Sequence, residues 1–422
     1  AEIVSFEPAT GAEVWRAPVG DVDEVVARAR RAWPAWAAQP LATRIELVRR
    51  FANEVRKDAD KLATMIARET GKPMWEARTE VESVINKVEI SVRAYADRTS
   101  QRKLDSAMQG TAALRHKPHG VMAVLGPYNF PAHLPNGHIV PALIAGNAVV
   151  FKPSEKTPAT GEMLAQCFHR AGISAAVVQV LVGGPAEGQA LVAHDGIDGV
   201  LFTGSAHAGI AINRKLASNP GKMVALEMGG NNPIVVWDTP KIEDTATIIV
   251  QSAFTSAGQR CTAGRRLIIK SSMYDAVISQ VKHLADRIIV GAPFDEPAPF
   301  MGPVIDNRTI LVRMNPGRGY KRIELATDCA TMADGRALAF ESAVASFRDI
   351  YRVDLPAGPL LRLALASEER WNEQVRQMKA AGAMAADDTN MVEFPPRLAE
   401  AGADRKTGGK TPGHDQAEAK IA

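Results

Sequence analysis

Six short apolar runs after Gly120 most constrain the fold of this chain, because segments with helical patterning separate several of them. In order, the runs read VMAVLG, NAVVFK, VVQVLVG, GVLFTG, MVALEMGG and NPIVVWD. Helices fit between them at about residues 157–172, 186–194 and 205–217. This alternation predicts an α/β fold with a parallel sheet and helices on both of its faces. Ligands of such sheets bind beyond the carboxyl ends of the strands, so a site is expected there.

The first hundred residues have a helical pattern instead. From Ile45 to Ile66, apolar side chains recur mostly three or four residues apart, which predicts one amphipathic helix ending at TGKP. A second helix is expected to bury one face, formed by Val81, Ile85, Val88, Val92 and Tyr95. The polar stretch 98–118 has weak patterning and is interpreted as a surface hairpin or an interface arm.

Composition excludes several classes of function. The 422 residues suffice for two or three domains, and 46% of them are hydrophobic while 23% are charged, as in globular proteins. A net charge of +3, from 50 basic and 47 acidic residues, does not favour a nucleic-acid partner. A membrane partner is not expected either, because no apolar run reaches about 18 residues. Three cysteines indicate no disulfide framework and favour a reducing cytoplasm.

Cys261 is the candidate nucleophile, in the stretch SAFTSAGQRCTAGRRLII. A reactive cysteine is partly exposed and has a thiolate stabilised by a cation or a helix N-terminus. Arg260, Arg265 and Arg266 could provide such a field. A lone cysteine is more often an inert core residue, and this interpretation suits Cys167 in the helical segment LAQCFHRAG.

Two further residues could take part in catalysis, although each also has an ordinary structural explanation. Asn129, in the proline-rich loop GPYNFPAHLP, could donate its side-chain amide to an oxyanion or could simply serve a turn. Glu227 follows a predicted buried strand in LEMGGNNP. It could be a general base whose partly apolar surroundings raise its pKa, or it could lie in a surface turn.

Cofactor binding is one of two explanations for two other stretches. Lys152 and Glu155, in VVFKPSE, could meet a ribose or phosphate group, or could lie in a solvated loop before a helix. Gly204 and Gly209, in GVLFTGSAHAG, could let a phosphate approach a helix N-terminus. The G-x-G-x-x-G fingerprint is absent, so a plain strand-to-helix turn also explains these glycines. No metal site is predicted.

The order of these stretches along the chain is more informative about function than any single stretch. PYNFP, FKPSE, FTGS, LEMGGNNP and GQRC follow one another in a way that resembles the NAD(P)-dependent aldehyde dehydrogenases, from about Pro8 to about Asp306. The resemblance implies a Rossmann-type cofactor domain, an α/β catalytic domain and a small β interface arm. The implied ranges are 1–97 and 119–229 for the NAD-binding domain, 98–118 for an oligomerisation hairpin, 230–390 for the catalytic domain and 391–422 for a tail.

The resemblance also implies a mechanism. Cys261 would attack an aldehyde to give a thiohemiacetal, and Asn129 with the backbone N–H of Cys261 would hold the oxyanion. Glu227 would activate the water that hydrolyses the thioester formed after hydride transfer. NAD is the implied cofactor, and its binding residues would be Lys152, Glu155, Gly204, Ser205 and Gly209. A homodimer or homotetramer is the implied assembly.

Within the family, RETGKPMWEARTEV and QSAFTSAGQRCTAGRRL resemble enzymes that oxidise a dicarboxylic semialdehyde in arginine catabolism. Cations are then expected along the substrate channel, and the candidates are Arg260, Arg265, Arg266, His133 and His138. Another semialdehyde dehydrogenase of the family, or an NAD-binding protein without catalytic activity, stays an alternative.

The resemblance ends after about residue 306. In the family motif E-x-F-G-P, Gly358 and Pro359 fit, whereas Leu355 and Ala357 stand in place of the glutamate and the phenylalanine. Either the last third has diverged, which would leave a weakened or inactive enzyme, or its sequence is incorrect, through a frameshift or guessed residues. The abrupt loss of pattern beside an intact first part favours the second explanation.

Overall fold

A computed structural model describes residues 1–100, 102–105, 111–306, 312–315 and 322–324. For 102–105, 111, 312–315 and 322–324 it describes the backbone alone. Within these ranges, no helix combines the length and the apolarity that crossing a bilayer requires. The motif around Leu355, the last part of the predicted catalytic domain and the predicted tail 391–422 lie outside the described residues.

The chain begins with a hairpin, so the expectation that its first hundred residues are purely helical is wrong at this end. Strands β1 (Glu2–Phe6) and β2 (Glu13–Pro18) pair antiparallel. The connecting turn passes through Gly11, whose φ of 75° suits a residue without a side chain. Trp15 donates its indole N–H to Glu162 at 3.1 Å. The hairpin thus rests on contacts with a distant helix, which local patterning does not reveal.

Four helices follow, namely α1 (Val22–Ala37), α2 (Leu41–Lys57), α3 (Ala59–Thr70) and α4 (Met74–Thr99). The single helix predicted from Ile45 to Ile66 is wrong, because it is divided between α2 and α3. At Asp58 the backbone leaves helical geometry, with φ −105° and ψ 18°. Only one residue separates the two helices, so the apolar stripe continues across the break into the same core. The second predicted helix is confirmed within α4.

A five-stranded parallel sheet forms the centre of the first core, which confirms the α/β prediction. In chain order its strands are β5 (Val121–Leu125), β6 (Ala148–Lys152), β7 (Val178–Val180), β8 (Gly199–Gly204) and β9 (Met223–Met228). In space they run β7-β6-β5-β8-β9, and every neighbouring pair is parallel. A hairpin of β3 (Arg102–Asp105) and β4 (Thr111–Leu114) precedes the sheet.

Helices cover the sheet, and all residues of β5 and β6 are buried. The helices between the strands are α5 (His133–Ile144), α6 (Pro158–Arg170), α7 (Pro185–Ala193) and α8 (Ala206–Leu216). Helices α2, α3 and α4 pack behind α5 and α6. Strand order reverses between β5 and β8, and the crevice beyond their carboxyl ends is where sheets of this kind bind ligands.

A second core begins after β9. It contains β10 (Asn232–Val236), α9 (Ile242–Phe254), β11 (Gly264–Ile269) and α10 (Tyr274–Ala285). Strands β10 and β11 pair in parallel, and α9 connects them. Cys261 lies in the connection from α9 to β11, so it stands at the amino end of β11. A short antiparallel pair, β12 (Val312–Asn315) and β13 (Arg322–Glu324), follows.

Candidate active site

Cys261 lies in an exposed loop that follows an unusual backbone turn. The thiol is free and exposed, as expected for a nucleophile. Three residues before Gln259 are left-handed, with φ values of 57° at Ser256, 52° at Ala257 and 70° at Gly258. Non-glycine residues hold such angles only where the surrounding structure stabilises them. The turn therefore sets how the chain approaches Cys261.

The Asn129 loop contacts the cysteine loop directly. Asn129 follows β5, and its side-chain Nδ2 donates to the backbone carbonyl of Gln259 at 2.7 Å. Its Oδ1 accepts from the backbone N–H of Phe130 at 3.1 Å, which fixes the orientation of the amide. A side-chain amide nitrogen carries two protons, so one proton is left for a ligand after the bond to Gln259. The structure thus brings an oriented amide donor to within two residues of Cys261.

Two residues that sequence reasoning missed hold this arrangement. Asn232 donates its amide to the carbonyl of Cys261 at 2.5 Å and to that of Ala263 at 3.1 Å. Gln259 donates Nε2 to the Ser256 carbonyl at 3.2 Å and accepts from the Ile305 backbone N–H at 3.1 Å. Their amides in GGNNP and GQRC were visible in the sequence, but only the fold shows what they contact.

Glu227 lies near the carboxyl end of β9 and is exposed. The partly apolar surroundings predicted for it are wrong, because β9 is the edge strand of the sheet. Glu227 pairs in register with Thr203, and Thr203 Oγ1 lies 3.0 Å from His138 Nε2. Burial lowers the pKa of His138, while the charge of Glu227 opposes this shift. His138 is thus a neutral neighbour of Glu227 near pH 7.

The structure brings some of the candidate channel cations together but not all of them. His133 is half-buried against α4, where burial lowers its pKa. The Arg260 guanidinium lies 5.4 Å from the centre of the Phe130 ring. Arg266 donates Nε to the Asn231 carbonyl at 2.9 Å. Arg265 reaches the Arg260 carbonyl at 3.5 Å. Arg260 and Arg265 are therefore the charged candidates that contact each other beside Cys261, whereas His138 lies beside Thr203 with a pKa that burial lowers.

Lys152 ends β6 and is buried, although its amine has polar neighbours. Nζ donates to the Pro153 carbonyl at 3.2 Å and lies 4.0 Å from Glu155 Oε2. Burial lowers the pKa of Lys152, while the charges of Glu155 and Glu187 oppose this shift. A buried amine beside a half-exposed carboxylate, at the carboxyl edge of the sheet, fits the hydroxyl groups of a ribose.

The candidate pyrophosphate residues lie at the end of β8 and in the first part of α8. Gly204 ends β8, and Ser205 is the N-cap of α8, where its Oγ accepts from the Ala208 N–H at 3.2 Å. A Cβ on Gly209 would lie 2.6 Å from Met228 Sδ, so a larger residue there would require the Met228 side chain to move. Helix α8 begins two residues after the carboxyl end of β8, and a helix N-terminus at that edge of the sheet suits a pyrophosphate. Within the described ranges, no group of acidic, histidine and cysteine side chains could hold a metal ion.

Comparison with known proteins agrees with this geometry. The model of the aldehyde dehydrogenase family matches residues 1–312. An N-succinylglutamate 5-semialdehyde dehydrogenase of Novosphingobium aromaticivorans is 92% identical over 309 residues, which are 73% of this chain and 66% of that protein. One of the same name from Sphingopyxis alaskensis is 64% identical over 306 residues, covering 72% of this chain and 64% of that protein. The chain thus spans slightly less than two thirds of the length of these relatives.

Solved structures share the fold. The crystal structure of PnpE, from Pseudomonas sp. WBC-3, in complex with nicotinamide adenine dinucleotide superposes with a TM-score of 0.69. It is 30% identical in sequence, and the match covers 73% of this chain and 63% of that chain. All five sequence motifs lie within residues 1–312, which the family model matches.

Proposed function

The chain belongs to the aldehyde dehydrogenase family, and from this premise we propose that it oxidises an aldehyde to a carboxylate, with Cys261 as nucleophile and NAD as oxidant. The hydrogen bond from Asn129 to the Gln259 carbonyl carries the proposal, because it puts an amide donor beside the cysteine loop. The exposure of Cys261 supports the proposal, since a nucleophile must be open to its substrate.

In the proposed reaction, the Cys261 thiolate adds to the aldehyde carbon and forms a thiohemiacetal oxyanion. The second amide proton of Asn129 and the backbone N–H of Cys261 donate to that oxyanion, and one such donor stabilises the transition state by about 3 kcal/mol. The chemistry that bound NAD would supply is acceptance of a hydride from this carbon, after which Cys261 would carry a thioester. Glu227 removes a proton from water as the water attacks the thioester, releasing the acid and the Cys261 sulfur.

We propose that NAD binds along the carboxyl edge of the sheet. Lys152 and Glu155 would hold the adenosine ribose, while Gly204, Ser205 and Gly209 would lie around the pyrophosphate at the N-terminus of α8. The switch in strand order and the N-terminus of α8 support this placement. The Glu155 carboxylate favours NAD over NADP, because it would repel a 2′-phosphate.

The proposed substrate is N-succinyl-L-glutamate 5-semialdehyde, which the names of both curated relatives carry. Such a molecule has two carboxylates, and the Arg260 guanidinium lies next to Cys261 in the chain. A second candidate is another semialdehyde, and a third is NAD binding without turnover. The small cysteine count supports a cytoplasmic location, where a reducing environment keeps Cys261 as a thiol.

The substrate proposal is tested with the full 422-residue chain. NADH or NADPH formation is measured with N-succinylglutamate semialdehyde, succinate semialdehyde and a simple aliphatic aldehyde, each with NAD and with NADP. We expect kcat/KM to favour the first aldehyde by about 10²-fold or more. Enzyme contacts with polar or charged groups of a substrate distinguish it from its analogues more strongly than contacts with methylene groups do. Preference for another aldehyde would overturn the substrate but keep the mechanism. NAD binding without any turnover would support the inactive alternative.

We propose that the protein forms a homodimer or homotetramer through the β3–β4 hairpin. An isolated two-stranded hairpin is marginally stable in water, and Leu114 at its end is 45% exposed. Light scattering of the full chain should give a dimer or tetramer mass, and Leu114→Glu should shift it toward the monomer. A monomer mass for the unmodified chain would contradict the proposal. Ile90→Glu, at an exposed position on α4, is the matched control and should leave the mass unchanged.

A further inference from the structure

Helix α4 carries two carboxylates, Glu76 and Glu80, that the proposed reaction does not use. They lie four residues apart, so they project from the same face of the helix, one turn from each other. Glu76 is 2% exposed and Glu80 is 1% exposed. Carboxylates this deeply buried need hydrogen-bond partners, and their partners show what they hold in place.

Glu76 holds the turn before the cysteine. The backbone N–H of Ser256 donates to Glu76 Oε2 at 3.1 Å, and the Ser256 hydroxyl donates to Glu76 Oε1. Ser256 is the first of the left-handed residues, and it is 4% exposed. Both hydrogen bonds therefore act where the backbone conformation is least favourable on its own, and they fix the direction in which the chain runs toward Cys261.

Glu80 holds the asparagine loop. Its Oε1 accepts from the backbone N–H groups of Ala132 and His133, at 3.0 and 3.1 Å. These amides begin α5, where a carboxylate is favourable, and Asn129 lies three residues before Ala132. The other oxygen of Glu80 forms an ion pair with Lys72 Nζ at 2.7 Å. Lys72 also lies 3.5 Å from the centre of the Phe130 ring, next to Asn129.

The two loops that α4 holds are the two that meet in the candidate site. Asn129 donates to the Gln259 carbonyl, and the backbone N–H of Gln259 donates to the Ser256 carbonyl at 3.0 Å. The contacts thus close a ring that runs from Glu76 through the cysteine loop and the asparagine loop to Glu80. We propose that Glu76 and Glu80 are positioning residues, which use one turn of α4 to set the Asn129 amide against Cys261.

This inference rests on the proposed function, but other contacts separate it from a role in folding alone. Trp75 donates its indole N–H to the Pro299 carbonyl at 3.0 Å, and the backbone N–H of Met74 donates to the Pro293 carbonyl at 3.3 Å. These bonds hold α4 against the second core without Glu76. Loss of the Glu76 side chain should therefore displace the turn at Ser256 and leave the two cores in contact.

The test compares Glu76→Ala and Glu76→Gln with Glu89→Gln, a control on the exposed side of the same helix. The glutamine amide can still accept from the Ser256 N–H and donate to the Ser256 hydroxyl, so Glu76→Gln should keep most of the activity. Glu76→Ala should lower kcat by about 10²-fold with little change in KM or NAD affinity, as expected for a displaced catalytic group. Equal kcat in Glu76→Ala and the control would overturn the proposal.

A second readout does not need turnover. The rate at which iodoacetamide alkylates the Cys261 peptide, followed by mass spectrometry across pH, should change in Glu76→Ala and stay the same in Glu89→Gln. Unchanged alkylation in all variants would overturn the positioning role, whereas a changed rate in an enzyme that oxidises no aldehyde would overturn only the proposed function. Ser256→Gly removes both the backbone penalty and the hydroxyl that donates to Glu76, so Glu76→Ala should cost less in that background. An equal cost in both backgrounds would contradict the proposal.

Discussion

Replacement of Cys261 by alanine should lower aldehyde-dependent NADH formation by about 10⁴-fold or more, because the covalent intermediate of the proposed reaction forms on the Cys261 sulfur. Cys261 is the exposed one of the two free cysteines in the described part of the chain, and both candidate oxyanion donors lie at its loop. The measurement is the initial rate with the best aldehyde, beside the dissociation constant for NAD. Full activity in Cys261→Ala would overturn the assignment.

The matched control for this substitution is Cys167→Ala. Cys167 is buried in α6, where burial raises the pKa of its thiol to about 11, so it carries almost no thiolate near pH 7. We expect Cys167→Ala to keep kcat and KM and to lower the stability slightly through the lost packing of the sulfur. NAD affinity should be unchanged in both variants, which separates loss of chemistry from loss of fold.

The sequence predicts the central sheet well because its strands can be recognised from their own residues, without knowledge of distant contacts. Strand β5 is a continuous apolar run, β6 is apolar up to Lys152, and both strands are buried and bounded by turn residues. The N-terminal hairpin lacks such a signal, since its strands are partly exposed and depend on contacts such as Trp15 with Glu162. The break at Asp58 is also invisible, because the apolar periodicity continues across it.

The candidate site also has one part that the sequence predicts and another part that it does not. The order of the motifs in the chain predicts the residues that could do the chemistry, whose roles follow from their side chains. The hydrogen bonds that hold these side chains in place are not predictable, because each one joins residues that lie far apart in the sequence. Glu76 bonds to Ser256, 180 residues away, and Asn129 bonds to Gln259, 130 residues away. A glutamate inside an amphipathic helix looks like an ordinary surface residue until the fold shows what is packed against it.

Replacement of Glu227 by glutamine should produce a different defect from loss of the cysteine. Thiohemiacetal formation and hydride transfer do not need Glu227, whereas the attack of water on the thioester does. We expect kcat to fall by about 10²- to 10⁴-fold, the range that a general base contributes. A burst of about one NADH per site should remain, and stopped-flow absorbance would measure it. Mass spectrometry of the quenched enzyme should detect the acyl group on the Cys261 peptide.

Because Glu227 is exposed on an edge strand, its replacement should change the rate of thioester hydrolysis without changing the stability of the fold. An exposed carboxylate contributes little to stability, so Glu227→Gln should unfold at the same temperature as the unmodified chain. The control is Glu243→Gln, at an exposed carboxylate in the first turn of α9, and it should keep normal steady-state turnover. A slow reaction without a burst would place the defect before the thioester and would rule out Glu227 as the hydrolytic base. Because His138 and Thr203 lie beside Glu227, that outcome would direct the search for the base to the same edge of the sheet.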